Sequence, residues 1–517
     1  MKTQKKKIQE FFKDINKQIT KEEFEKKKVE FARINKQKQL LLTSEILEAL
    51  NIKTPPSFLV TKPTKTLSGV TVVAVMTKPG ECPGKCIYCP NSEIAPRSYT
   101  GFEPAAMRAK RNKFDPYKQI KDRLHQFEAT GHPTNKIELI VMGGTFPAMP
   151  YSYQKNFMIK VYQAITDSKN KDLEQLKKIA SKSKRRIVGL TFETRPDYCS
   201  KEIIKRLLEF GGTRVEIGVQ ILNDDILDYV NRGHRIDAVV NATKDLKEAG
   251  FKVLYHFMLA LPKSTTKKDL DSFKLAFSDE RFCPDMIKIY PCLVTKGTKI
   301  EKMLYNGEYK PYDLKTTTKL IADVKEFVPK WVRIMRIQRD IPATKIIAGI
   351  QKSNLRQLVQ EELKKRNKKC QCIRCSEPMG VLKDVTNYEI KTIEYNAQKG
   401  KEYFIYAEKE GYLLGFIRLR IPETQYIKEI TKTTTIVREL HVYGQTTNFE
   451  DHNIQHVGIG KELLKKAEEI SKKQKYTKVA VISGVGVREY YKKQGYRLQG
   501  PYMVKNIGEK KNGRKQR

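Results

Sequence analysis

The sequence predicts an α/β protein of two main domains: a parallel βα sheet closed or nearly closed into a barrel, then a compact mixed α/β domain. Three observations lead there. At 517 residues the chain is too long for one core and suits two or three domains. From about residue 70 to 340, short apolar runs alternate with stretches of helical periodicity. From about residue 402 the rhythm changes to longer strand-like runs with two helices.

Bulk composition narrows the rest. Hydrophobic residues make up 39% and aromatic residues 9%, enough for sizeable cores. Lys and Arg number 100 against 59 acids, a net charge of +41. An excess of that size points to a polyanionic partner, with nucleic acid ahead of a membrane surface. No apolar run approaches the roughly 20 residues of a membrane span. The opening MKTQKKKIQEFFKDINKQ lacks the apolar core of a secretory signal. A cytoplasmic, reducing location is expected, and there the clustered cysteines suit metal sites better than disulfides.

Taken in order, residues 1–55 are expected to form a basic helical arm that binds tRNA or simply faces solvent. Residues 1–39 carry 13 basic and six acidic side chains, and Ile8, Phe11, Phe12, Ile15 and Ile19 recur at helical spacing. Residues 56–350 are the barrel. Its strands are read at TVVAVMT (71–77), KIELIVMGG (136–144), RIVGLTFE (186–193), RVEIGVQ (214–220), FKVLYHFML (251–259), DMIKIYP (285–291) and RIMRIQR (333–339). Residues 351–395 form a charged joint, residues 396–507 the second domain, and residues 508–517 a basic tail.

Three stretches carry chemistry. Cys82, Cys86 and Cys89 stand as C-x3-C-x2-C after the first strand, at the carboxyl end where barrels place their sites. Three thiolates can hold three corners of a cubane iron–sulfur cluster and leave one iron open, whereas a structural zinc normally takes four protein ligands. Gly143 and Gly144, in MGGTF, let backbone approach a ligand at the end of the second strand. In the second domain, Gln455-x-x-Gly458-x-Gly460 opens the amphipathic stretch KELLKKAEEISKK. A helix opened by a glycine loop offers free N–H groups to an anion. Finally, Cys370, Cys372 and Cys375 place three thiolates in six residues. A structural zinc that pins the two domains together is the expectation there, and a set of reduced thiols is the alternative.

The cysteine loop, with Tyr88 before its last cysteine and the glycine pair beyond, resembles the radical S-adenosylmethionine superfamily. That resemblance implies a partial TIM-type barrel and a 4Fe–4S cluster on Cys82, Cys86 and Cys89. It also implies S-adenosylmethionine on the open iron, with Gly143 and Gly144 against its amino group. The glycine loop with EYYKKQGY (489–496) resembles the Gcn5-related N-acetyltransferase fold, implying acetyl-CoA and a tyrosine near its thioester, Tyr491 rather than Tyr490. Longer stretches widen the match: TFETRPDYC (191–199), NRGH (231–234), QRDIP (338–342), VRELHVYG (437–444) and VISGVGVREYYKKQGYRLQGPYMVK (481–505). From about residue 50 to 506 the chain resembles the family of the catalytic third subunit of the Elongator complex.

This resemblance implies an enzyme that modifies the wobble uridine, position 34, of tRNA. In that family scheme acetyl-CoA offers its acetyl group and a 5′-deoxyadenosyl radical abstracts a hydrogen from the acetyl methyl. The carbon radical adds to C5 of uridine, and thioester hydrolysis leaves 5-carboxymethyluridine. The implied acetyl-CoA contacts are Glu439, Leu440, His441, Val442, Gln455, Gly458, Ile459, Gly460, Lys461 and Tyr491. Lys136 joins them from the barrel side, and Lys136 and Tyr491 are the implied catalytic pair. The implied partners are the tRNA anticodon stem–loop and either other Elongator subunits or a second copy of the chain. Both substrates are expected to meet at a shared cleft. One rival is a protein (histone) lysine acetyltransferase, which would need an acidic docking surface; another is a non-enzymatic tRNA-binding scaffold. Two departures from the family stand out. Pro90-Asn91-Ser92-Glu93 replaces Pro-Gly-Gly-Pro, and Ala260 replaces an acid or amide before Leu-Pro.

Overall fold

The computed structural model describes residues 2–15, 20–37, 39–52, 59–60, 66, 68–80, 82–90, 92–379, 381–382, 385–443 and 458–508. Its frame is two seven-stranded sheets. The first holds β1 (Thr71–Met76), β2 (Lys136–Met142), β3 (Arg186–Thr194), β4 (Arg214–Gln220), β5 (Lys252–Leu259), β6 (Met286–Pro291) and β7 (Arg333–Ile337). They pair in sequence order, every pair parallel, so the sheet curves into an open barrel with helices outside. Val73, Val75, Ile137, Leu139, Val141 and Leu190 turn outward into one core with helices Pro116–Ala129 and Tyr151–Thr166. The alternate residues face the lumen, as the two-residue period requires.

The second sheet runs β13-β14-β12-β11-β10-β9-β8, made of β8 (Glu389–Ala397), β9 (Gly400–Lys409), β10 (Tyr412–Ile421), β11 (Thr434–Val442), β12 (Lys478–Ile482), β13 (Arg497–Gln499) and β14 (Tyr502–Asn506). It begins earlier than the expected boundary at 396. In β8 the run EIKTIEYNA is polar and largely exposed, which is why it reads as a joint rather than a strand. The amphipathic helix Ile459–Lys473 buries Leu463, Leu464 and Ala467 against this sheet.

The second domain seats on the amino ends of the barrel strands. Tyr502 donates to Ala249 O at 2.8 Å, Arg438 to Phe251 O at 2.9 Å and Arg418 to Trp331 O at 2.8 Å. Between the domains lies a buried set of four cations, Lys247, Arg418, Arg420 and Arg438, and four carboxylates, Glu248, Asp285, Glu402 and Glu439.

The amino-terminal arm is more than one solvated helix. Helices Lys2–Phe11, Lys21–Ile34 and Thr43–Ala49 close around Ile8, Phe12, Phe24, Phe31 and Ile46 as a small bundle with its own core. Thr20 caps the second helix in a reciprocal box with Glu23. Ile19 and the tail from residue 509 lie outside the described residues. Among the described residues no helix is long and apolar enough to cross a membrane.

Ala260 takes a left-handed φ of 59°. Its N–H donates to Asp269 at 2.9 Å and its carbonyl accepts from Tyr309 at 2.7 Å, so the conformation is fixed from both sides. Asn and Asp tolerate that region far better than Ala, which gives a backbone reason for the family's residue here. Ala260→Gly is expected to raise barrel stability by about 1 kcal/mol, read as a higher urea midpoint.

Candidate active site

At the carboxyl ends of the first sheet opens a cavity of ≈ 170 Å³, lined by Cys82, Cys86, Cys89, Tyr99, Gly144, Arg195, Arg232, His256, Lys288 and Tyr290 among others. The loop after β1 carries the three cysteines to its wall. Cys86 is the buried one, and Cys82 and Cys89 are half-buried. Arg232 fixes this loop to β4: one nitrogen donates to Cys86 Sγ at 3.5 Å and another to Gly218 O at 2.6 Å. Burial opposes ionisation of the Cys86 thiol, but the Arg232 guanidinium outweighs it and holds the thiol below its usual range. Burial, helped by the neighbouring Cys86, pushes Cys89 up to about 11.

The cradle for a polar ligand is built from backbone and from polar atoms without protein partners. Gly143 and Gly144 follow β2 with φ of 122° and 62°, which side chains avoid. Thr145 Oγ1, Thr194 Oγ1, Arg195 Nη1 and Arg232 Nε are buried with no partner among the described residues. Arg195 is held on its other side by Asp197 at 2.8 Å. Orphaned donors at this density around three thiols are what a polar, charged ligand would satisfy. Of the family departures, Ser92 Oγ accepts from Ile94 N at 3.3 Å, and Asn91 lies outside the described residues.

Deeper in the lumen sits a cluster that sequence reading did not single out. Glu216, fully buried on β4, accepts from His256 Nε2 at 2.8 Å and pairs with Lys288. Lys288 also lies 3.6 Å from Glu193, which accepts from Tyr99 OH at 2.7 Å. Burial works against the Glu216 charge, but Lys288, His256 and Arg214 hold its pKa far below the usual carboxylate range. The available signal was an ionisable residue at a lumen position in three of the apolar runs: Glu in RVEIGVQ, His in KVLYHFML, Lys in MIKIYP.

The second domain presents a different site. β11 and β12 run parallel only over Thr434–Val437 and Lys478–Val481, then part, so one edge of residues 439–442 is left for another extended chain. Gly458, φ 89°, begins the helix Ile459–Lys473, and its first turn holds Gly460 and Lys461. A Cβ on Gly460 would stand 3.1 Å from Tyr490 Oη and 3.5 Å from Val442, so strand edge, glycine turn and tyrosine converge. Tyr491 packs in the core between Tyr490 and Tyr496. Thus Glu439, Leu440, His441, Val442, Gly458, Ile459, Gly460 and Tyr490 come together; Gln455 lies outside the described residues. Lys136 opens β2 at the amino end of the barrel, the end on which the second domain sits. Burial, then Arg186, lowers its pKa.

The cysteine cavity lies at the carboxyl ends of the barrel strands and the splayed strand edge beside their amino ends. The third group is a separate knot. The ligand atoms of Cys370, Cys372 and Cys375 lie within 4.8 Å of one another, close enough for a single metal ion. The knot bonds to the barrel through Ile373 N to Val332 O at 3.0 Å, and Lys325 donates to Cys375 Sγ at 3.3 Å.

Comparisons with known proteins agree with both halves. Residues 77–276 match the radical SAM superfamily, 284–365 the radical SAM C-terminal domain, and 372–496 the acetyltransferase (GNAT) family. Those two families imply a 4Fe–4S cluster with S-adenosylmethionine and acetyl-CoA respectively, and the thiols, orphaned donors and glycine turn fit them. The tRNA uridine(34) acetyltransferase of Methanocaldococcus jannaschii is 46% identical over 465 residues, covering 86% of each chain. Elongator complex protein 3 of Saccharomyces cerevisiae is 39% identical, covering 86% of this chain and 84% of its own. The solved archaeal Elp3 of Methanocaldococcus infernus, lacking residues 1–46, superposes with a TM-score of 0.76 at 42% identity, covering 85% of this chain and all of that one. A radical SAM half-barrel joined to a GNAT sheet, matched along most of its length at these identities, places the chain in the family of the tRNA uridine(34) acetyltransferases and Elongator complex protein 3.

Proposed function

We propose that this chain transfers a two-carbon acid unit from acetyl-CoA to C5 of uridine 34 in tRNA. The observation that carries the reading is the pairing, on one frame, of the three-thiol cavity with the splayed strand edge and glycine turn. Relatives sharing 45–46% identity over 86% of the chain, named for uridine 34, supply the substrate. When bound, the cluster and S-adenosylmethionine supply the one-electron chemistry that an unactivated methyl group needs. The chain's residues do the rest. Cys82, Cys86 and Cys89 would hold the iron, with Arg232 keeping Cys86 ready as thiolate. Gly143, Gly144 and the buried hydroxyls of Thr145 and Thr194 would hold the methionine end. The edge of Glu439–Val442 would accept the pantetheine amides, and the turn Gly458, Ile459, Gly460 and Lys461 the pyrophosphate. Tyr490 and Tyr491 are both candidates beside the thioester, and Lys136 stands at the barrel end facing it. The arginines at the mouth and a net charge of +41 suit an anticodon stem–loop.

The test is anaerobic reconstitution with iron and sulfide, followed by 5′-deoxyadenosine release and nucleoside analysis of tRNA. Release that depends on the cluster, with a carboxymethylated uridine in the tRNA, is expected; Cys86→Ala should abolish both while tRNA binding persists. Acetylated lysine peptides with untouched tRNA would instead support a protein acetyltransferase. We also assign zinc to Cys370, Cys372 and Cys375. Cys372→Ser is expected to lose one zinc per chain with iron content unchanged, and unchanged zinc by elemental analysis would refute the assignment.

A further inference from the structure

We propose that the barrel lumen is the passage through which the acyl end of acetyl-CoA reaches the cysteine cavity, past a threshold formed by Glu138 and Arg214. The inference rests on the function proposed above. The two sites lie at opposite ends of the barrel strands. β2 spans seven residues, so the ends are about 20 Å apart at ~3.3 Å per residue. Something must carry the acetyl group across that length, and a pantetheine arm is long, thin and uncharged.

The lumen is built to admit it. The interior positions of a closed barrel are normally filled by bulky branched side chains in layers. Here Ala74, Ile140 and Thr191 follow one another in register across β1, β2 and β3, and Val72, Glu138 and Gly189 form the layer below. Val72 is 43% exposed, and Ala74, Glu138, Ile140 and Met142 are half-buried, although their neighbours Val73, Val75, Ile137, Leu139 and Val141 are at most 1% exposed. Glu138 reaches past β3 to pair with Arg214 on β4, which is feasible because Gly189 stands opposite: a Cβ there would lie 3.5 Å from Glu138 Cγ. Above this pair come Glu216, His256 and Lys288, which already line or adjoin the cavity.

Below it, the second domain borders the floor. Arg418 joins Asp285 of the barrel at 3.6 Å and Glu439 of the splayed edge at 2.9 Å, and Arg333 at the foot of β7 donates to Tyr443 OH at 2.7 Å. Arg418, which holds Glu439, also donates to Trp331 O at the foot of β7 at 2.8 Å, so the strand edge adjoins the lumen floor. The strand edge holds the pantetheine amides and the phosphates stay at Gly458–Gly460, so the thioester end is the part that enters the column.

Two measurements decide it. Ala74→Cys, in cluster-loaded protein kept anaerobic, is treated with iodoacetamide and each cysteine is followed by peptide mass spectrometry. Acetyl-CoA is expected to slow alkylation at position 74 at least fivefold, and adenosine 3′,5′-bisphosphate, which lacks the arm, is expected to leave it unchanged. No reaction at position 74, or equal protection by both ligands, overturns the proposal. Ala74→Phe should lower the ratio of modified uridine to 5′-deoxyadenosine at least tenfold, and an unchanged ratio overturns it as well. Should Ala74→Phe fail to fold, the alkylation result decides alone. A wild-type protein that modifies no uridine would refute the proposed function, yet leave the protection pattern to be read separately.

Discussion

Arg438→Met is expected to cost about 3–5 kcal/mol of stability and to loosen the second domain from the barrel. Arg438 is fully buried and donates to both oxygens of Asp285, at 2.7 and 2.6 Å, and to Glu402 at 2.8 Å. Asp285 belongs to the barrel and Glu402 to the second sheet, so one guanidinium bridges the domains. The interface set is balanced at four cations against four carboxylates. Its barrel members carry one excess negative charge and its second-domain members one excess positive charge. Removing Arg438 leaves an uncompensated carboxylate in a site water cannot reach, and that desolvation is the source of the cost. A hydrophobic partner cannot replace it, because Asp285 also accepts from Val253 N at 2.8 Å and must stay.

The pH dependence follows with a definite sign. Burial would raise the Asp285 pKa, but Arg438 and then Lys247 hold it far below its unfolded value. A carboxyl depressed on folding contributes stability that is complete above its unfolded pKa of about 3.9 and lost as pH falls toward the folded value. Wild type should therefore lose this contribution only below about pH 4. In Arg438→Met the Asp285 pKa rises, and acid unfolding should begin at a higher pH. Urea titrations at pH 7 and at pH 4.5, followed by tryptophan fluorescence, would show it. Trp331, the chain's one tryptophan, accepts from Arg418 at the same interface. Identical midpoints for variant and wild type at pH 7 would mean the network does not hold the domains.

Much of this frame was legible because its signals are local. Seven apolar runs became seven parallel strands, since helices bury one face of each strand and most of the other face is sheltered inside the barrel. The cysteine loop and the glycine turn were legible because spacing within a few residues sets their chemistry. What was hidden depends on partners far apart in sequence. Arg418 and Arg420 sit in YLLGFIRLRI, where they look like the polar face of an edge strand; they are buried because Asp285 and Glu248 arrive from the barrel. Glu216, His256 and Lys288 come from three strands and meet only when the sheet curves. β8 was missed for the opposite reason: its exposed side chains are too polar for a strand signal.

Gly143→Ala is expected to weaken S-adenosylmethionine binding at least tenfold, which is about 1.4 kcal/mol, while leaving acetyl-CoA affinity unchanged. Gly143 follows β2 with φ 122°, a backbone state that residues with a Cβ enter only under strain of roughly 1–3 kcal/mol. The added Cβ would also overlap Thr77 Oγ1 and stand 3.2 Å from both Thr77 N and Pro96 Cγ. Neither neighbour can yield easily. Thr77 N donates to Met142 O at 3.0 Å, closing the end of the β1–β2 ladder, and Pro96 belongs to the loop that carries Arg97 and Tyr99 to the cavity. The backbone at 143–145 must therefore move, taking Gly144 and Thr145 away from the cavity wall. The coenzyme A turn is on the other sheet at the other end of the strands, so it should not respond. Equilibrium binding of each ligand to reconstituted protein separates the outcomes: equal losses for both would mean that the fold has been damaged as a whole, and no loss for S-adenosylmethionine would mean that the glycine pair is not its cradle.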